Sequence, residues 1–295
     1  MRLKPRIFRK PQLTHPLARG LVGYWLFNEG SGNKVNDLSG NGNTGTFVNS
    51  PTWVPGEFGP AINFSGAADE YVNVLDSPEL DGHTAMTWVF SHVSDDLSSA
   101  NLGPLSKYEA INGERSWAIR QSGGVTEYNL VISNDGNAFE AQETANLNLV
   151  VGIRNQLAFT FDDGTGKAYK DGILTDTLTF STHTSIFAGS KDVKIGTYRA
   201  TEFNGLIDYV IIYNRALSAS EIAQLYIDPF TLFDRSHLPL WQSGAAPPSP
   251  GQVIFITKAE REAAIKTAIP MMWACQGMNN RRDFMKHTSL AMFGL

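Results

Sequence analysis

The chain has 295 residues, 42% hydrophobic and 18% charged, ordinary proportions for a globular protein able to bury a sizeable core. A formal net charge of -5, with acidic and basic residues mixed through the middle of the chain, argues against a nucleic-acid footprint there. With Cys275 as the only cysteine no intrachain disulfide can form, so the fold does not depend on an oxidising compartment.

Residues 1–19 form a basic arm, with Arg2, Lys4, Arg6, Arg9 and Lys10 close together among Pro5, Pro11 and Pro16. It reads as a solvated arm that docks on a neighbour or stays loose, with polyanion binding as the sharper alternative. The arm lacks the continuous apolar core of a secretory signal, and no run in the chain is long enough to span a membrane as a helix. From Leu21 to Tyr213 short apolar runs alternate with turn signals, the spacing of many short strands. Asp171-Gly172 is of the type that closes tight hairpins. The segment 202–218 is the most informative. Leu206, Asp208, Val210 and Ile212 alternate with Ile207, Tyr209, Ile211 and Tyr213, a strand apolar on both faces with one acid in its middle. A carboxylate there must be hydrogen-bonded, paired or holding a metal. Ser218-Ala219-Ser220-Glu221 then reads as a capping box opening a short helix that carries Ile222, Leu225 and Tyr226. Residues 20–228 are therefore predicted to be an all-β antiparallel sandwich with a short capping helix.

The rest is a different kind of chain. Residues 229–252 are a linker by composition, ending in Ser243 to Gly251. Residues 253–295 are a separate tail: a short strand Val253–Ile256, a helix capped at Thr257 and ending before Pro270, and the apolar Met271-Met272-Trp273. Asn280-Arg281-Arg282-Asp283-Phe284-Met285-Lys286 resembles the start of a twin-arginine export signal, which works at an N-terminus. A joined following gene and a chance basic tail both account for it. Arm and tail are expected to gain order from a neighbour, either another copy of this chain or the subunits of a larger particle.

Several segments in order resemble one family. The wording from Phe203 to Tyr226 is similar to the closing segment of laminin-G-like, concanavalin A-like lectin/glucanase domains. Gly20 to Gly32, Asp37 to Asn43, Pro60 to Gly66, Tyr71 to Val74, Met86 to Val89 and Lys170 to Gly172 follow the family's order, so the resemblance covers about residues 20–228. It implies a concanavalin A-like jelly roll. Fold leaves function open, because function lives in sites grafted onto folds.

Relatives that hydrolyse glycosides carry an E-x-D-x-x-E pattern along one strand, placing two carboxyl groups across the scissile bond. This chain has no such segment: Asp162 and Asp163 are adjacent and point to opposite faces, and Glu202 and Asp208 are too far apart. No nucleophile elbow, phosphate loop or zinc-spaced His/Cys cluster is present, so the reading is non-catalytic. The loop Asp37-Leu38-Ser39-Gly40-Asn41-Gly42-Asn43 begins like an oxygen-ligand calcium loop, with Val48 where the closing acid would stand. Asp37, Ser39, Asn41 and Asp208 are the candidate ligands of a structural calcium, and a self-bonded Asx turn is the alternative. Tyr108 and Trp117 lie in the irregular middle and are the candidates for stacking on a sugar ring, with burial in the core as the alternative for Trp117. The family's usual pattern has a His before the strand from Leu157 to Phe161, where this chain has Gln156.

Three functions follow: a non-catalytic recognition module for a glycan or a protein surface, a structural protein of a phage particle (head decoration or tail adhesin), and a glycoside hydrolase, which the missing carboxylate pattern disfavours. The first is the leading expectation. The first two place the protein outside the cell or in a virion.

Overall fold

The computed structural model describes residues 3–5, 10–67, 69–99, 101–109, 113–122, 126–137, 142–199 and 201–233. Arg2, Arg6 and Arg9, the linker beyond Phe233, Cys275 and the 253–295 tail with its strand, helix and twin-arginine-like end lie outside the described residues.

The chain opens with β1 (Leu21–Trp25), β2 (Lys34–Val35), β3 (Gly45–Val48), β4 (Thr52–Gly56), β5 (Gly59–Ser65), β6 (Tyr71–Val74) and β7 (Ala85–Ser94). The middle supplies β8 (Leu105–Tyr108), β9 (Arg115–Ser122), β10 (Glu127–Ile132), β11 (Gln142–Asn146) and β12 (Arg154–Asp162). Then come β13 (Thr165–Lys170), β14 (Ile173–Thr179), β15 (Val193–Ile195), the short pair β16 (Thr197–Tyr198) and β17 (Thr201–Glu202), β18 (Asn204–Tyr213) and the helix α1 (Ala219–Ile227). The first sheet runs β14-β13-β12-β7-β18-β5-β4, with β1 also paired to β18, and the second runs β11-β10-β9-β8-β15-β6-β3-β2. The main ladders are antiparallel. This is the jelly-roll sandwich that the sequence predicts.

Alternation along the strands builds the core. Trp88 and Phe90 of β7, Phe159 and Phe161 of β12 and Ile212 of β18 meet Trp117 and Ile119 of β9 and Leu130 of β10 between the sheets. The Trp88 and Trp117 rings lie 5.1 Å apart at their centroids. The other face of the first sheet is apolar as well, because it is covered in turn. Val89, Ala158, Tyr209, Ile211 and Tyr213 pack beneath Ile222 and Leu225 of α1 and Phe230, Leu232 and Phe233 after it. Each such large side chain stabilises the fold by about 1.5–3 kcal/mol. α1 starts where its capping box dictates: Ser218 Oγ accepts from Glu221 N at 3.3 Å, and Glu221 Oε2 accepts from Ser218 N at 2.8 Å.

This outer layer extends past both expected boundaries, residues 20 and 228. Phe230, Leu232 and Phe233 are buried in it, and so is Leu17 of the arm. Gln12 N donates to Leu232 O at 2.6 Å, and Lys4 N donates to Phe58 O at 2.8 Å. Where it is described, the basic arm packs on its own domain rather than standing free.

β18 departs from simple alternation. Its register against β7 shifts between Ile207 and Tyr209, a bulge at Asp208. One extra residue resets the alternation, so Asp208 does not share a face with Val210 and Ile212. Ile207, Val210 and Ile212 enter the core between the sheets, whereas Asp208 meets Ser91 beside the outer layer that holds Tyr209.

Candidate functional site

The outer face of the second sheet carries a compact cluster of tyrosine and arginine. Along β9, Trp117 and Ile119 enter the core while Ala118 and Arg120 alternate onto the opposite face. Tyr108, Ala118, Val131 and Tyr198 form a small buried cluster there, separate from the main core. The β16–β17 pair is fastened to the sheet by Ser106 Oγ, which donates to Thr197 O at 2.8 Å. Tyr198 can lie this close because Gly103 sits beneath it: a Cβ at that position would be 2.2 Å from the tyrosine Cβ.

The Tyr108 and Tyr198 rings are 5.1 Å apart at their centroids. The Arg120 guanidinium stands 5.7 Å from the centre of Tyr198, and that of Arg199 stands 5.9 Å from both rings. Such placements favour the cation over the electron-rich ring face. Arg199 is held there at φ 53, a left-handed backbone conformation uncommon for a residue with a side chain. Arg120 also donates to Asn101 Oδ1. Directly across from Arg120 on β10 is Asn129, whose Oδ1 accepts from Thr144 Oγ1 at 2.8 Å while its buried Nδ2 has no hydrogen-bond partner among the described residues. Burial and the neighbouring Tyr198 push the Tyr108 hydroxyl up to about 12, and burial pulls Arg120 below the ordinary guanidinium range.

Of the two predicted stacking residues, Tyr108 belongs to this cluster, but its ring is 3% exposed and lies under Arg199. It supports a guanidinium rather than offering an open platform. Trp117 is fully buried against Trp88 and has no surface to present to a sugar. Trp117 is core. The sequence reading passed over Arg120, Arg199 and Tyr198; the signal available was an arginine alternating with core residues on β9.

Asp208 lies in a second, structural cluster. Its side chain is 0% exposed; Oδ2 accepts from Ser91 Oγ at 2.9 Å and pairs with Arg154, whose Nε meets Glu57 at 3.0 Å. Burial raises the Asp208 carboxyl above its ordinary value, opposed by Arg154 and Lys4. Lys4 is itself pulled down to about 7 by burial, although Asp208 and Glu29 favour its charge, and its Nζ donates to Phe27 O and Pro60 O. Here the arm is pinned to the domain. Gln156, at the family's His position, donates to the Tyr209 hydroxyl at 2.8 Å and to Leu225 O at 3.0 Å, tying β12 to α1.

The residues proposed for calcium do not converge. Asp37 Oδ1 accepts from Tyr24 N at 3.0 Å and Ser39 N at 2.8 Å, and its Oδ2 accepts from Ser39 Oγ at 2.7 Å and Asn43 N at 2.9 Å. Asn41 and Asn43 turn their Nδ2 groups, not their oxygens, toward Val22 O. This is the self-bonded turn, fastening the loop to β1. Asp208 is engaged with Ser91 and Arg154 and shares no partner with Asp37. A calcium ion needs several free oxygen ligands, and this donor set does not fit one.

Two antiparallel sheets with this order and a helix-capped outer face define a lectin-like jelly roll. A laminin-G-type model of the concanavalin A-like lectin/glucanases superfamily matches residues 65–223, more than half of the chain, and the chain belongs to that superfamily. No curated protein matches it in sequence. Among solved structures, it is similar to domain 4 of AbnA, a GH43 extracellular arabinanase from Geobacillus stearothermophilus, in complex with arabinotriose. The identity is 18% and the TM-score 0.55, over 70% of this chain and 98% of that domain. The binding domain of Paraclostridial Mosquitocidal Protein 1 matches at 15% identity and TM-score 0.58, over 71% of this chain and 52% of that one. Trypanosoma rangeli sialidase in complex with sialic acid matches at 16% and 0.54, over 72% of this chain and only 33% of the sialidase. At these identities the likeness is one of fold.

Proposed function

We propose that the domain is a non-catalytic carbohydrate-recognition module that binds its ligand on the outer face of the second sheet. The observation that carries this reading is the exposed Arg199 held over the buried Tyr108–Tyr198 pair, a hydrogen-bonding group of the kind that fixes sugar hydroxyls. The match to nearly the whole of an arabinotriose-bound domain supports it. A non-catalytic role is supported by the commitments of the buried acids. Asp208 is held by Arg154 and Ser91, Glu70 accepts from Ser65, and Glu202 accepts from Asp69 N at 2.8 Å. Each of these acids is committed to a donor of the fold, whereas hydrolysis of a glycoside requires two carboxyls placed across the scissile bond.

The test is a polysaccharide and oligosaccharide array probed with the full chain, followed by calorimetry on the hits and a reducing-sugar assay on the same panel. Saturable binding without sugar release is expected. A chain retained on no saccharide would refute recognition, and turnover abolished by one carboxylate substitution would refute the non-catalytic assignment.

A further inference from the structure

We infer that the domain pairs with a second copy of itself through an apolar patch at one end of the sandwich. Of the ten large hydrophobic residues exposed among the described residues, seven belong to three segments. Val150, Val151 and Ile153 lie between β11 and β12, Ile173 and Leu174 open β14, and Tyr226 and Ile227 close α1. Contacts between these segments bring them to one place. Asp171, in the turn before β14, donates its N to Gln156 O at 2.8 Å and accepts from Gln156 N at 2.9 Å and Asn155 Nδ2 at 3.0 Å. Lys170 Nζ donates to Asn148 O at 2.9 Å, which ties the β11–β12 connection to the same turn. Gly172 lies so close to α1 that a Cβ on it would stand 2.9 Å from that of Tyr226. Single apolar residues scattered over a surface are ordinary, whereas a set gathered at one place marks an interface.

Area and charge point to the occupant. The exposure of the seven runs from 46% for Leu174 to 70% for Ile173. Together they present on the order of 700 Å², close to the roughly 800 Å² that each partner contributes to a standard protein interface. Pairing about a two-fold axis sets the same patch on both sides, so each copy covers the apolar surface of the other. Charged groups at this end are engaged within the domain: Asp171 and Lys170 as above, and Asp228 through Oδ1, which accepts from Phe230 N at 3.1 Å. Burying the patch therefore strips water from few charges, as the core of an interface requires. A lipid surface fits less well, because a formal net charge of -5 opposes an anionic membrane. The patch shares no residue with the Tyr108–Tyr198 cluster, so a pair presents two recognition faces at once and gains avidity for a repeating ligand.

The experiment is size-exclusion chromatography with light scattering on the full chain over a wide range of concentration, with flotation on phosphatidylcholine vesicles, with and without phosphatidylserine, alongside. A concentration-dependent rise to the mass of two chains is expected, without vesicle binding. Ile173→Glu and Val151→Glu, which set like charges against each other across the two-fold axis, should each weaken the dimer about tenfold or more. Ile173→Ser, which removes apolar area without adding charge, should fall between, and Leu75→Glu, equally exposed but after β6, should leave the dimer intact. Unchanged tryptophan fluorescence shows that each variant is folded. A single-chain mass at every concentration, or association that Ile173→Glu and Val151→Glu leave unchanged, would overturn the inference. Vesicle binding by a monomer, lost in the same two variants, would overturn it as well and give the patch to a lipid surface.

Discussion

Replacing Asp208 with alanine removes the acceptor of Ser91 Oγ, 2.9 Å away, and the partner of Arg154. The neutral-donor bond contributes about 1 kcal/mol and the charged one about 1.5–3 kcal/mol, and the two donors lose their acceptor in a site Asp208 fills completely. Two features reduce the sum. Arg154 is 22% exposed and keeps Glu57, so its charge is not stranded, and the burial that raises the Asp208 carboxyl is a cost the variant no longer carries. A net loss of ~2–4 kcal/mol is therefore expected, an apparent melting temperature lower by ~4–16 °C for a domain of this size. Asp208→Asn, which keeps the shape and one acceptor, should lose about half as much. The assay is urea and thermal unfolding followed by tryptophan fluorescence at neutral pH. If Asp208→Ala melts within a degree of the wild type, the carboxylate does not hold β18, β7 and β12 together, and the bulge needs another explanation.

Trp117→Ala should cost about 3–5 kcal/mol, because it empties the centre of the core against Trp88; an unchanged urea midpoint would place the indole at the surface after all. A chelator should leave the melting temperature where it is, whereas Asp37→Ala, which loses four hydrogen bonds, should lower stability by about 1–3 kcal/mol; a melting point that drops on chelation would contradict the self-bonded turn. Burial lowers His92 from 6.5 to about 4, so between those values the unfolded chain binds a proton that the folded one refuses. Stability should accordingly fall as pH drops through that window, by about 3 kcal/mol in all, and His92→Gln should flatten the difference; equal pH profiles for both proteins would remove His92 from the account. A chain trimmed to residues 20–228 should unfold well below one of residues 1–235 in a side-by-side thermal melt, since it lacks Leu17, Phe230, Leu232 and Phe233; equal melting points would mean that the outer layer is not needed.

The sequence alone determined the sandwich, the helix and much of the core. Alternation is a property of a strand's own residues: Trp88 and Phe90 had to share one face of β7, and Phe159 and Phe161 one face of β12, whatever lay opposite them. The capping box is just as local, since Ser218 and Glu221 satisfy each other's backbone donors within one turn. The Asx turn at Asp37 belongs here too, although the same residues also spelled the start of a calcium loop; which atoms faced inward decided between them. What crosses from one element to another was not legible. The bulge at Asp208 is set by pairing with β7, so no inspection of β18 by itself could show that its acid leaves the core face. That residues 230–233 and Leu17 complete a third layer depends on which sheet face α1 leaves uncovered. The site shows the same division. Tyr108 was visible as an aromatic in an irregular stretch, but Arg120 on β9 and Tyr198 and Arg199 on a later hairpin meet it only because β16 docks on β8, and hydrogen bonds between distant segments leave no periodicity in a sequence.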